Sequence, residues 1–192
     1  IVLDFLRVSA YNVNEVKDAQ ASYDALSNED KAKVSSELSS KLSSLTSKLQ
    51  NYAMVAHAST LKSEGDYGFT FTNVISSNKE RGDACEITNG SYTGEWCPFI
   101  YESITNVQAY SKLLFYVYNP NETTHSMVCF EYPDWNPSIY PLATLEPGWN
   151  EVTIDMSSGC FPSTAGSGFF GIMGMNKTIE SGWLISSMYA IK

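Results

Sequence analysis

The segment Glu131-Tyr132-Pro133-Asp134-Trp135-Asn136-Pro137 sets two flat aromatic rings among carboxylate and amide side chains, between prolines. A sugar ring presents an apolar face of C–H groups that an indole or phenol can cover, while neighbouring amides and carboxylates take its hydroxyls. A tryptophan between Asp134 and Asn136 is unlike a core residue, so Trp135 is read as exposed. Pro133 and Pro137 hold the backbone extended around it, which leaves little ordering entropy to lose on contact. Tyr140 follows closely enough to join, and Trp96, in Gly94-Glu95-Trp96-Cys97-Pro98, is a further aromatic candidate. The expected sugar-contacting set is Trp135 for stacking, Tyr132 or Tyr140 in support, Asn136 or Asp134 for hydroxyls, and Trp96. Trp149 and Trp183 lie in strand-like runs and are assigned to the core.

Catalytic chemistry is poorly represented. The chain has 2 His, His57 in the N-terminal part and His125. It contains no G-x-S-x-G, H-E-x-x-H, phosphate-binding loop or C-x-x-C. Glu131 and Asp134 are the type of pair a glycosidase uses, but solvated acids are ordinary in an acidic segment. No enzyme activity, metal or cofactor is expected. Of the 4 Cys, Cys85 and Cys97 flank an apparent hairpin through Asn89-Gly90 and are expected to pair across it. Cys129 sits in an apolar run and reads as a buried thiol, and Cys160 falls in a loop.

Composition separates two kinds of element. Residues 1–62 hold no Gly, Pro, Cys or Trp, and their 7 basic residues balance 7 acids. Residues 63–192 hold all 12 Gly, 7 Pro, 4 Cys and 4 Trp, and carry the whole net charge of −9. Gly and Pro break helices and make turns, so the change marks a helical part followed by a loop-rich strand part. Three helices are expected: Ile1–Ala10, one starting at Asn12 and one starting at Ser27. The second carries the stripe Val13, Val16, Ala19, Tyr23, Leu26, and the third carries Val34, Leu38, Leu42, Leu45, Leu49, Tyr52, Ala56. The stripes are read as the core of an antiparallel bundle. Beyond it, runs such as Phe69–Val74, Leu113–Tyr118, Met127–Tyr132, Leu142–Leu145, Glu151–Ile154, Phe169–Met175 and Trp183–Ile191 alternate with turn signals. Seven or more short strands favour an antiparallel sandwich or jelly roll. The expected fold is α+β: a three-helix bundle in 1–62, then a β-sandwich in 63–192. With 43% hydrophobic residues and an acidic balance, neither a disordered tail nor a basic nucleic-acid surface fits, and no apolar run is long enough for a membrane span.

Two resemblances add to this. Tyr23-Asp24-Ala25-Leu26-Ser27 with Lys31-Ala32-Lys33-Val34 resembles the small helical spacer modules repeated in large Gram-positive surface and secreted proteins. The series Lys112–Asn119, then Leu145-Glu146-Pro147-Gly148-Trp149-Asn150, then Gly182–Tyr189 is similar to jelly-roll carbohydrate-binding modules, with the Pro-Gly-Trp-Asn hairpin its most distinctive piece. Together they imply an extracellular or cell-surface protein with further domains and a polysaccharide or oligosaccharide partner, an α-glucan such as starch foremost. A structural or adhesion domain that binds no sugar is the competing function; clustered exposed aromatics distinguish the two.

Overall fold

Successive side chains of a strand point to opposite faces, yet all five of Leu113, Leu114, Phe115, Tyr116 and Val117 are apolar or aromatic, so both faces need cover. The computed structural model describes residues 13–63, 68–75, 83–89, 96–101, 109–130, 137–155, 168–173 and 182–192, and all five side chains are buried in it. The described elements are helices α1 (Val13–Asp24), α2 (Asn28–Lys31) and α3 (Ser36–Leu49), and strands β1 (Tyr52–Ala56), β2 (Leu61–Ser63), β3 (Phe69–Ile75) and β4 (Asp83–Asn89). There follow β5 (Trp96–Tyr101), β6 (Lys112–Asn119), β7 (His125–Phe130), β8 (Pro137–Leu145), β9 (Gly148–Asp155), β10 (Gly168–Met173), β11 (Trp183–Ser186) and β12 (Met188–Ile191). None of the described helices is long and apolar enough to cross a membrane.

The strands form two antiparallel sheets. The larger has 7 strands in the order β1-β12-β6-β11-β4-β3, with β9 on the other side of β6; the smaller has 5, in the order β2-β5-β10-β7-β8. Leu113, Phe115 and Val117 face inward and share one core with Ile87, Ile154 and Trp183 of the larger sheet and Leu61, Met127 and Leu145 of the smaller. Leu114, Tyr116 and Tyr189 face outward and pack against Val16, Leu45 and Leu49 of α1 and α3. The larger sheet is therefore the middle layer, between the smaller sheet and the helices.

Several local expectations change. Ser27 does cap a helix, accepting the Asp30 N–H at 3.1 Å, but α2 stops after 4 residues. Ser35 then acts as a second cap, accepting the Leu38 N–H at 3.2 Å, and α3 starts afresh. A serine hydroxyl offers the backbone an alternative to the helical ladder, and the Ser-rich sequence contains two such offers. The helix ends at Leu49 rather than reaching Ala56. Tyr52 and Ala56, expected on its stripe, lie in β1, in register with Ile191 and Met188 of β12. Residues 52–63, counted by composition with or beside the helices, thus supply strands to both sheets. The expected helix Ile1–Ala10 lies outside the described residues.

The apolar stripe is a core at one end only. Val16, Leu45 and Leu49 are buried against the sheet, whereas Ala19, Tyr23, Leu26, Val34 and Leu38 line an open cleft of about 290 Å³ between α1 and α3. The Pro-Gly turn also differs from expectation. It joins β8 of the smaller sheet to β9 of the larger, so it is a corner between sheets, not a hairpin within one. Gly148 has φ +89° there, a conformation that favours glycine. Asn150 closes the corner, its Oδ1 accepting the Glu146 N–H at 2.9 Å and its Nδ2 donating to the carbonyls of Glu146 and Gly148. Asn119 ties in the adjoining β6–β7 crossover, donating to the carbonyls of Thr123 and Leu145 at 2.9 Å each. Finally, the run Trp183–Ile191 divides at Ser187, and Ser186 Oγ fills the gap by accepting the Tyr116 N–H at 2.8 Å.

Candidate functional site

Tyr132, Asp134, Trp135 and Asn136 lie outside the described residues. The strands flanking them, β7 and β8, are neighbours in the smaller sheet, with Phe130 in register with Pro137. Tyr140 belongs to β8, at the edge of that sheet, and Trp96 opens β5 within it. The backbone therefore assigns Tyr140 and Trp96 to one sheet but separates them, because β10 and β7 intervene. Trp96 is in register with Met173, Met173 with Ser126 and Ser126 with Thr144, four residues along β8 from Tyr140.

The two tryptophans assigned to the core differ in how far they are buried, Trp149 only packing against the edge of a buried cluster. Trp183 is fully buried, as its apolar strand requires, with His125 edge-on at 5.0 Å. Trp149 is half-buried on the outer face of the larger sheet, where Tyr118 is its register partner. The ring centroids are 5.4 Å apart and the planes are tilted by 57°. Beside the pair, Tyr116 Oη donates to Glu151 Oε2 at 2.8 Å, which leaves the exposed carboxylate fixed in direction. Burial pushes the Tyr52 phenol above its ordinary value, and the charge of Glu151 adds to that shift. Tyr118 was absent from the sequence-based set because it ends a run that reads as pure core. The available signal was strand alternation: Tyr118 shares a face with Leu114 and Tyr116 but lies beyond them.

The Cys85–Cys97 bridge is not formed, for Cys85 is a free, buried thiol. Cys85 lies in the larger sheet, paired through β4 with Asn73 and Ile185, whereas Cys97 lies in β5 of the smaller. The chain changes sheet between the two cysteines, so β4 and β5 are not paired as the strands of a hairpin. Burial, with Glu86 adding a little, pushes the Cys85 thiol up to about 11. His57 is also placed differently, between β1 and a short turn at Ala58–Thr60, where its Nδ1 accepts the Ser59 N–H at 3.2 Å. Among the described residues, no three His, Cys, Asp or Glu side chains gather as metal ligands would.

No family model matches the chain, and no curated protein matches it. Solved structures with a similar arrangement do exist. One is the family 11 carbohydrate-binding module of a cellulosomal cellulase of Clostridium thermocellum, at 15% identity and TM-score 0.42, over 73% of this chain and 87% of that one. Another is a family 29 carbohydrate-binding module variant complexed with cellulohexaose, at 10% identity and TM-score 0.41, over 72% and 89%. A third holds the family 22 binding and family 10 hydrolase modules of a Clostridium thermocellum xylanase complexed with xylohexaose, at 10% identity and TM-score 0.43; the match covers 72% of this chain and 27% of that one. At these identities and scores, the likeness assigns no ligand and no site.

Proposed function

We propose that this protein is a non-catalytic carbohydrate-binding module with a jelly-roll sandwich and a helical spacer, located outside the cell or on its surface. The observation that carries the reading is the partly buried Tyr118–Trp149 pair with the exposed Glu151 carboxylate beside it. Rings of this kind can cover the apolar faces of sugars, while the carboxylate accepts from hydroxyls. The loop residues Trp135, Tyr132, Asn136 and Asp134, with Tyr140 and Trp96, are the proposed contacts on the smaller sheet. An α-glucan is the proposed ligand. The 57° tilt between Tyr118 and Trp149 supports it, since a bent platform suits a chain that turns from one ring to the next better than a flat surface does. The three-helix bundle is likewise proposed, as a unit set between this module and other domains of a longer protein.

Calorimetry with maltohexaose, cellohexaose and xylohexaose tests the reading on the full chain. Binding to maltohexaose is expected. Trp135→Ala should cost on the order of 2 kcal/mol, roughly thirtyfold in affinity, the scale of a binding hot spot. A thermal melt checks that the variant folds. Tight binding to cellohexaose alone would replace the α-glucan by a β-linked chain, and binding to none of the three would leave the structural or adhesion role.

A further inference from the structure

Five outward-facing residues of the larger sheet stand in one register row that crosses every strand at that end. Trp149 of β9 is opposite Tyr118 of β6, Tyr118 is opposite Leu184 of β11, Leu184 is opposite Glu86 of β4, and Glu86 is opposite Thr72 of β3. The first four are half-buried and Thr72 is exposed. Neighbouring strands lie about 4.8 Å apart, so the row is about 19 Å long, enough for several linked sugar rings. Its chemistry is graded: two aromatic rings and an aliphatic side chain at the β9 end, then a carboxylate and a hydroxyl at the β3 end. Thr88 and Thr70, exposed and in register with each other, extend the polar end on the same face. The helices cover the other half of this face, over Leu114, Tyr116 and Tyr189, and Trp149 packs against that cluster where the row meets it.

We infer that this row is an extended binding strip for a single neutral oligosaccharide chain lying across the strands, with its stacked rings at Tyr118 and Trp149 and its hydroxyls at Glu86 and Thr72. The inference rests on the carbohydrate-binding reading and assigns it to the larger sheet, whereas Tyr140 and Trp96 belong to strands of the smaller one. Two features choose the ligand. The row carries a carboxylate and no Lys or Arg, and Glu151 adds a second negative charge beside it, so polyanionic glycans are repelled. The tilted ring pair cannot lie flat on an ordered polysaccharide surface, so the ligand is one chain and not a crystal face.

The test is a titration of the full-length chain with maltohexaose, cellohexaose, xylohexaose and an oligogalacturonate, read by calorimetry and by backbone amide shifts. Amides of Thr72, Glu86, Tyr118, Trp149 and Leu184 should move with a neutral hexasaccharide and stay in place with oligogalacturonate. Tyr118→Ala should weaken binding at least tenfold. Glu86→Gln, which keeps the shape of a half-exposed residue and should fold, should weaken it several-fold. Binding that persists unchanged in both folded variants, with shifts confined to Ser138–Tyr140, overturns the strip and leaves the carbohydrate-binding reading standing. Absence of binding to any neutral hexasaccharide overturns both, and tighter binding of oligogalacturonate than of neutral chains overturns the ligand class.

Discussion

Strand β6 presents Leu114, Tyr116 and Tyr118 in succession to the same outer face, but the three meet different fates. Leu114 and Tyr116 are 4% and 3% exposed beneath α1 and α3, while Tyr118 stands half-open beside Trp149. Sequence character is nearly the same at all three positions; what differs is the cover. Tyr118 is not part of the cluster that the helices bury, Trp149 packs against the margin of that cluster, and the Tyr116–Glu151 hydrogen bond lies beside it. An apolar residue left out of such a layer either costs solubility or serves a ligand, and a ring that keeps a carboxylate neighbour is suited to the second.

The covered and open halves should separate most clearly in stability. Leu114→Ala removes a side chain packed between helices and sheet, so it should cost about 2–5 kcal/mol. Leu184→Ala, on the open half, removes a side chain that is only half-buried and should cost about 1 kcal/mol. Chemical denaturation of both variants measures the difference. Equal costs would mean that the open half is also packed under cover.

That border also marks how far the sequence could be read. The change in Gly, Pro and Trp content near residue 63 separates helices from strands because those residues act locally on the backbone. It misplaces Tyr52–Ala56, since that segment becomes a strand through pairing with β12, more than 130 residues away in sequence. The strands Phe69–Ile75, Lys112–Asn119 and Gly148–Asp155 were legible because alternation or an apolar run is a local signal. Which sheet each joins was not. The Pro-Gly corner and the Asn89-Gly90 segment both read as hairpins, and both strand pairs divide between the sheets. The pairing of Cys85 failed for the same reason. Trp183 lies in the core as expected, whereas Trp149 is only partly buried, packed against the cluster that the sheet forms with helices from the other end of the chain.

A second, smaller effect sharpens the picture of what lies beneath the open half. Cys85 is on the inner face, next in sequence to Glu86 of the strip, and is 1% exposed. Its folded pKa is raised from 9.0 to about 11. A raised folded value favours the protonated thiol, so this contribution is fully present below pH 9 and is lost as pH rises to about 11. At about 1.4 kcal/mol per pKa unit, the loss is on the order of 2–3 kcal/mol. Melts of the wild type and Cys85→Ala across that range should converge as the pH rises, the other titrating groups being common to both. Parallel curves would show that water reaches the thiol and that the open half is not backed by a dry core.

The smallest expected effect lies at the far end of the helical layer. Ser27 accepts the Asp30 N–H at 3.1 Å and donates to Asp30 Oδ2 at 2.8 Å, and Lys33 reaches Asp30 at 2.9 Å and Glu29 at 3.3 Å. Lys33 first, and Ser27 second, hold the Asp30 carboxyl below its ordinary value. A lowered carboxyl contributes above its unfolded pKa and is lost as the pH falls through the folded one, so this cap weakens only in acid. All of these groups are exposed, and α2 buries none of its residues. Ser27→Ala should therefore cost about 1 kcal/mol or less, confined to the helices, and hydrogen exchange should speed up in α1 to α3 while β4, β6 and β9 keep their protection. Affinity for a neutral hexasaccharide should not change. If the cap substitution weakened glycan binding, the helices would act on the strip instead of ending beside it, and the covered and open halves of the sheet would be a single coupled surface.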